Sequence, residues 1–139
     1  MTDRRALVDT DVWSEFYCRR TGEPSAQVRQ LRELIRAQGV VLLGAVRQEV
    51  LCGWRYFHQF EQIRELLRPC PDQPMTTPEY ELAAEFFNLC RSRGIQGSNT
   101  DFLICACSAR WNVPVLTKDA DFGRFAELVP VKLYALPDA

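Results

Sequence analysis

Phe102-Leu103-Ile104-Cys105-Ala106-Cys107 is apolar on every side once wound into a helix, so that helix has no face to give to water and must be enclosed by other elements. The rest of the chain reads as its shell. Ala6-Leu7-Val8 is a short buried strand running into Asp9-Thr10-Asp11, and residues 12–20 read as a helix. Pro24 opens a second helix whose Val28, Leu31, Leu34 and Ile35 keep the helical period, with Gly39 as its stop and an arginine-rich outer face. Residues 40–43 form another apolar strand, after which Gly44 turns the chain into a helix carrying Glu49 near its start. Phe57, Phe60, Ile63 and Leu67 recur at three to four residues, giving an amphipathic helix that Pro69 ends.

Residues 70–74 read as an extended linker or short strand. Thr77 is then expected as an N-cap with Pro78 in the first helical position. Glu79 and Glu81 would complement the dipole of a helix that buries Tyr80, Ala83, Ala84, Phe87 and Cys90 and ends at Gly94. After the enclosed helix, residues 113–116 make a third strand ending in Thr117-Lys118-Asp119, residues 121–128 a short helix, and residues 131–136 a last strand. Strands alternating with helices predict an α/β fold, a three-layer α/β/α sandwich around a mainly parallel sheet. Such sheets bind ligands in the crevice beyond the strand carboxyl ends. With no repeat, linker or low-complexity tract, the 139 residues suit one core, and a single domain over residues 1–139 is expected.

Four acids stand where an apolar strand ends or a helix begins: Asp9, Glu49, Asp101 and Asp119. Asp9 and Asp119 each follow a strand and would project into one crevice if the two strands are neighbours. Taken singly, each acid has a plainer reading. Asp9 and Asp119 would serve as N-caps, and Asp101 and Glu49 as partners of a helix dipole. Their joint placement points to convergence. Two unit negative charges about 5 Å apart at an effective dielectric of about 20 repel by roughly 3 kcal/mol, so a converging quartet opposes folding unless divalent cations sit among it.

Other chemistries find less support. Six cysteines in a chain whose first nine residues contain no apolar leader read as reduced thiols, mostly core filler, in a soluble cytoplasmic protein. Structural zinc has no CxxC pair to build on, and His58 is the sole histidine. The charges nearly cancel, with 17 basic and 18 acidic residues, but all the basic ones except Lys118 and Lys132 are arginine, which suits bidentate phosphate contacts. An arginine-rich solvated surface is an equal reading of that composition.

The order of the acidic segments carries a resemblance. Residues 6–13 (ALVDTDVW), 46–53 (VRQEVLCG), 97–106 (GSNTDFLICA) and 116–122 (LTKDADF) resemble the four acidic motifs of the PIN domain, in particular of the VapC toxins of bacterial VapBC toxin-antitoxin systems, over essentially the whole chain. The resemblance implies that Asp9, Glu49, Asp101 and Asp119 are the catalytic and metal-binding quartet of a Mg²⁺- or Mn²⁺-dependent endoribonuclease. Its products would carry 5′-phosphate and 3′-hydroxyl ends. Thr117 matches a family hydroxyl that orders the last acidic corner, and Asp121 would reach the metal through water or cap the following helix. Asp11 departs from the family, which more often has a neutral residue there, and would be either an acid standing behind the metal ligands or a solvated helix start, the latter being preferred. Implied partners are an RNA substrate, a small VapB-like antitoxin and a second copy in a homodimer, with no membrane.

Arg19, Arg20, Arg47, Lys118 and Arg124 are candidates to bind flanking phosphates and Trp13 to stack on a base, each with surface charge or core packing as the alternative. Phe16, Tyr17, Trp54, Tyr56, Phe57 and Phe60 are expected to leave an apolar groove, where by resemblance an antitoxin's C-terminal segment would lie. Two rival readings stand beside this one. Asp9-Thr10-Asp11 has the DxD spacing of haloacid-dehalogenase-like phosphatases, which would make Asp11 indispensable. A non-catalytic RNA- or protein-binding module would use the acids only as caps.

Overall fold

The computed structural model describes residues 4–18 and 22–137. Its elements run β1 (Ala6–Val8), α1 (Thr10–Tyr17), α2 (Ala26–Arg36), β2 (Val40–Val41), α3 (Gly44–Leu51), α4 (Phe57–Leu67), α5 (Thr77–Ser92), α6 (Asn99–Trp111), β3 (Val115–Leu116) and α7 (Asp121–Leu128). The strands form one parallel sheet in the order β2-β1-β3. Ala6 lies opposite Val40 on one side, and Leu7 opposite Val115 on the other. A first strand flanked on both sides by later parallel ones demands a crossover to each, and helices supply the crossovers. The result is the three-layer α/β/α arrangement expected from the alternation. All three strand carboxyl ends point the same way, so Asp9 and Thr117 emerge side by side.

The apolar run lies in α6, with Phe102, Ile104, Cys105, Ala106, Cys107 and Ser108 all buried. Helix α5 packs along it, and Phe102 meets Phe87 and Phe125 at centroid distances of 5.5 and 4.9 Å. Gly97, just before α6, has no room for a side chain, because a Cβ there would stand 2.6 Å from the Phe125 ring. Gly39 is required for a similar reason, since its Cβ would come within 2.4 Å of the Arg4 carbonyl oxygen. The left-handed turn that stops α2 falls instead on Gln38, at φ 56°.

Several local expectations shift. The N-cap of α5 is Thr76, one residue early, because Glu79 at N3 reaches back to the Thr76 N–H and completes a capping box. The buried face of α5 is Ala83, Phe86 and Cys90, while Tyr80 is half exposed. In α4 the burial falls on Ile63 and Leu67, and Phe57 faces outward. Residues 131–136 make no strand. They touch the sheet through one bridge, Val115 to Leu133, flanked by bonds from the Val115 N–H to the Lys132 carbonyl and from the Tyr134 N–H to the Val115 carbonyl, while Val129 and Val131 are buried. No helix among the described residues is long and apolar enough to cross a membrane.

Candidate active site

Asp9 is 6% exposed at the end of the central strand, its N–H continuing the sheet to the Leu116 carbonyl at 2.9 Å. Both its oxygens are engaged. Oδ1 accepts the Thr10 N–H at 2.8 Å, which makes Asp9 the N-cap of α1, and Oδ2 accepts the Thr117 hydroxyl at 2.7 Å. Capping and site-building are thus compatible roles for one side chain. Thr117 Oγ1 in turn accepts the Asp119 N–H at 3.0 Å, and Asp119 Oδ1 accepts the Asp121 N–H at 2.9 Å. One hydroxyl therefore locks the loop after β3 onto the end of β1. Asp121 begins α7 and serves here through its backbone.

Asp101 occupies N3 of α6, where its Oδ2 accepts the Ser98 N–H at 2.9 Å in a capping box. Glu49 lies in the second turn of α3, past the first turn expected for it. There it accepts the Thr10 hydroxyl through Oε1 at 3.0 Å. Thr10, directly after Asp9, thus brings the third helix to the first strand end.

The electrostatics tie these acids together. Burial and then the Asp11 charge push the Asp9 carboxyl up to about 7 against its two hydrogen bonds, with Asp101 adding to the rise. Burial likewise raises Asp101 against its Ser98 bonds, and the charges of Asp119 and Glu49 raise it further. Asp11 is raised by burial and, more weakly, by Asp119. All four expected acids, and Asp11 with them, share one field.

Asp11 is not the solvated helix start expected of it. Its Oδ2 accepts the Lys118 N–H at 3.1 Å, and its Oδ1 is buried with no hydrogen-bond partner. Trp13 is also reassigned. It is 2% exposed and stacks on Tyr17 at 6.0 Å inside the core, so it has no face to offer a base. Arg47 is bound to Asp72 and to the carbonyls of Leu67 and Cys70, away from the acids. Lys118 and Arg124 are exposed. Arg19 and Arg20 lie outside the described residues. Sequence reasoning passed over Glu15, whose Oε1 meets the Lys118 ammonium at 2.6 Å. The signal was available, for Glu15 stands four residues after Asp11 and so shares its helical face.

Among the described residues, no group of three His, Cys, Asp or Glu side chains stands ready as a set that could hold a metal ion. Asp9, Asp101 and Asp119 each turn one oxygen to an N–H close by in the chain. Their chemistry nevertheless fits a hard divalent cation. A carboxylate has about four lone-pair sites and these bonds use one or two, while the buried Asp11 Oδ1 lacks any partner. Zinc fits less well, for the six thiols are free and the buried Cys90, Cys105 and Cys107 are pushed up, away from the thiolate that zinc requires.

A family model described as PIN domain matches residues 6–128. Among solved structures, the crystal structure of FitAcB from Neisseria gonorrhoeae superposes with a TM-score of 0.71, covering 94% of this chain and 96% of that one at 18% identity, a likeness of fold. No curated protein matches the chain. The phosphatase reading of Asp9 and Asp11 gives no place to Glu49 and Asp101, both of which this site draws in.

Proposed function

We propose, on the premise that this chain belongs to the PIN domain family, that it is a divalent-metal-dependent endoribonuclease. PIN domains are generally nucleases. The observation that carries the finer reading is the Thr117 hydroxyl bridge, which holds Asp9 and Asp119 at one crevice where Asp101 and Glu49 share their field.

Asp9, Asp101 and Asp119 would hold one Mg²⁺ or Mn²⁺, with Glu49 helping Asp9 or Asp101 to hold a second ion or orient water. Such a cation, when bound, lowers the pKa of water for in-line attack on phosphorus and stabilises charge on the phosphate and the leaving 3′ oxygen. The chain's own part is orientation. Thr117 and the Thr10 N–H fix both Asp9 oxygens, the Asp121 N–H fixes Asp119, Ser98 fixes Asp101, and the Thr10 hydroxyl fixes Glu49. No histidine or cysteine nucleophile is needed, and the thiol of nearby Cys105 is held protonated by burial and by the charges of Asp101 and Asp9. Lys118 and Arg124 are the remaining described candidates for flanking phosphates.

The reading extends to a VapC-like toxin silenced by a small VapB-like antitoxin, with a homodimer as the assembly. It is supported by an apolar cleft of about 660 Å³ bordered by Phe16, Tyr17, Ile35, Trp54, Ile63 and Leu66, whose walls take three of the aromatics expected at a groove and leave out Tyr56, Phe57 and Phe60. A disordered segment needs apolar area of this kind to offset its ordering cost.

The test is incubation of the purified protein with a mixture of structured and single-stranded RNAs, with and without EDTA. Cleavage that leaves 5′-phosphate ends, stops in EDTA and returns with Mg²⁺ or Mn²⁺ is the expected result. Cleavage undiminished by EDTA would remove the metal from the reading.

A further inference from the structure

The acid crevice has a cation built in beside it, and the structure holds that cation away. Lys118 lies between Thr117 and Asp119, and its N–H is bound by Asp11 Oδ2 at 3.1 Å. Its ammonium turns instead to Glu15, with Nζ 2.6 Å from Oε1. Glu15 is itself held from a second side. Its Oε2 accepts the Ser25 N–H at 2.9 Å and its Oε1 the Ser25 hydroxyl at 2.8 Å. Ser25 is the N-cap of α2, whose positive end favours an anion there. The Lys118 and Ser25 bonds together draw the Glu15 carboxyl down to about 2, so it stays charged over the working range of any such enzyme.

Glu15 thus joins α1, the start of α2 and the loop that carries Asp119. Freed from Glu15, the Lys118 side chain would pivot on a backbone that Asp11 already grips. Asp11, which holds the Lys118 N–H and already feels the Lys118 charge, and the adjacent Asp119 are then anions to which it could turn.

We propose that Glu15 is a positioning residue that keeps the Lys118 ammonium out of the acid crevice, so that the carboxylates stay open to a divalent cation. The inference deepens the metal-dependent reading and rests on it. An ammonium among the acids satisfies part of the field that attracts a dication and repels the dication directly. The chain would then carry its own competitor, and Glu15 is what restrains it.

Calorimetric titration of Mn²⁺ into the folded protein tests this without RNA or turnover. Glu15→Gln is expected to weaken Mn²⁺ binding about tenfold, the order expected for one unit charge brought near a bound dication in a partly solvated crevice. Glu15→Asp, which keeps the charge, is expected to recover most of the loss. The double variant Glu15→Gln/Lys118→Gln should bind Mn²⁺ as Lys118→Gln alone does, within about twofold, because the competitor is gone. Ser25→Ala, which loosens Glu15 without removing it, is expected to weaken binding in the same direction by less, and this too should be reversed by Lys118→Gln.

Unchanged Mn²⁺ affinity in both Glu15→Gln and Ser25→Ala overturns the proposal. So does a loss that Lys118→Gln fails to reverse, which would make Glu15 a packing residue. Wild-type protein that binds neither Mn²⁺ nor Mg²⁺ removes the metal reading and this inference together. Wild-type binding with an indifferent Glu15→Gln removes this inference alone.

Discussion

Among the described residues two carboxylates are almost closed to water, Asp9 at 6% exposed and Glu79 at 3%, and they sit in opposite electrostatic states. Burial pushes the Glu79 carboxyl up, but the Thr76 N–H at 3.0 Å, its hydroxyl at 2.9 Å and the Arg110 guanidinium at 2.9 Å outweigh it and leave Glu79 below its ordinary value. Asp9 also accepts an N–H and a hydroxyl, yet its charged neighbours are Asp11 and Asp101, and its carboxyl is driven up to about 7. A buried acid given a cation of its own is holding structure together. A buried acid with other acids for neighbours has its charged form opposed first by burial and then by those charges, a pattern found where a carboxylate serves more than the fold.

The largest effects should come from neutralising each member of this pair. Asp9→Asn, Asp101→Asn or Asp119→Asn is expected to lower RNA cleavage by about a hundredfold or more, while the melting temperature in EDTA holds or rises because one repelling charge is gone. Glu79→Gln should do the reverse. Its melting temperature is expected to fall by several degrees as the Arg110 pairing is lost, with cleavage per folded molecule intact. Cleavage assays beside thermal melts measure both, and a Glu79 variant that lost activity at full stability would break the contrast.

The two acids should also give opposite pH slopes in urea titrations of the metal-free protein. Folded Asp9 keeps its proton up to about 7, whereas the unfolded chain releases it near 3.8, so the native state binds more protons between those values and loses stability as pH rises through them. Glu79 is held below its ordinary 4.5, so its contribution is present above that value and fades as pH falls beneath it. Asp9→Asn should reduce the first slope without abolishing it, because the raised Asp11 and Asp101 carboxyls contribute in the same direction, and should leave the second; saturating Mg²⁺ is expected to flatten the first.

A smaller effect is expected where the crevice meets the core. Gly97→Ala forces a methyl group against Phe125 and should destabilise the fold by about 1–3 kcal/mol in denaturant titration. It should lower cleavage as well, because Gly97 leads directly into the cap that orients Asp101. The smallest effect concerns the thiols. Native labelling with a maleimide should modify Cys18 and Cys52, which are exposed, and spare the buried Cys90, Cys105 and Cys107, with reductant leaving the melting temperature unchanged. Rapid labelling of Cys105, the thiol nearest the acids, would show that the crevice opens far more than its packing allows.

Much of the fold was legible because burial on all sides leaves a plain trace. The apolar run of α6 and the short apolar strands ahead of Asp9 and Asp119 could hardly have been placed elsewhere, and the family resemblance added the order of the acids. What escaped depended on direction instead of composition. Trp13 and Phe57 are both aromatic on amphipathic helices, yet one lies in the core and the other in water, a matter of which helix face a neighbour covers. Arg47 is spent on carbonyls of the segment after α4, contacts that no spacing rule encodes. Residues 131–136 have strand composition and reach the free edge of β3, but alternation alone cannot say that the pairing stops after the single bridge at Leu133. Asp11 was misjudged because its burial comes from the loop around Lys118, more than a hundred residues away in sequence.

That distance has a consequence in time. The bond from Thr117 to Asp9 closes a span of 108 residues, and at roughly 5–20 residues per second a ribosome needs about 5–20 s to travel between them. Asp9, Thr10 and Asp11 are made early and wait for the loop that completes their crevice, so an interrupted chain holds acids but no assembled site. On the toxin reading proposed above, synthesis itself would then provide an interval in which a partner can be at hand before the first working molecule exists.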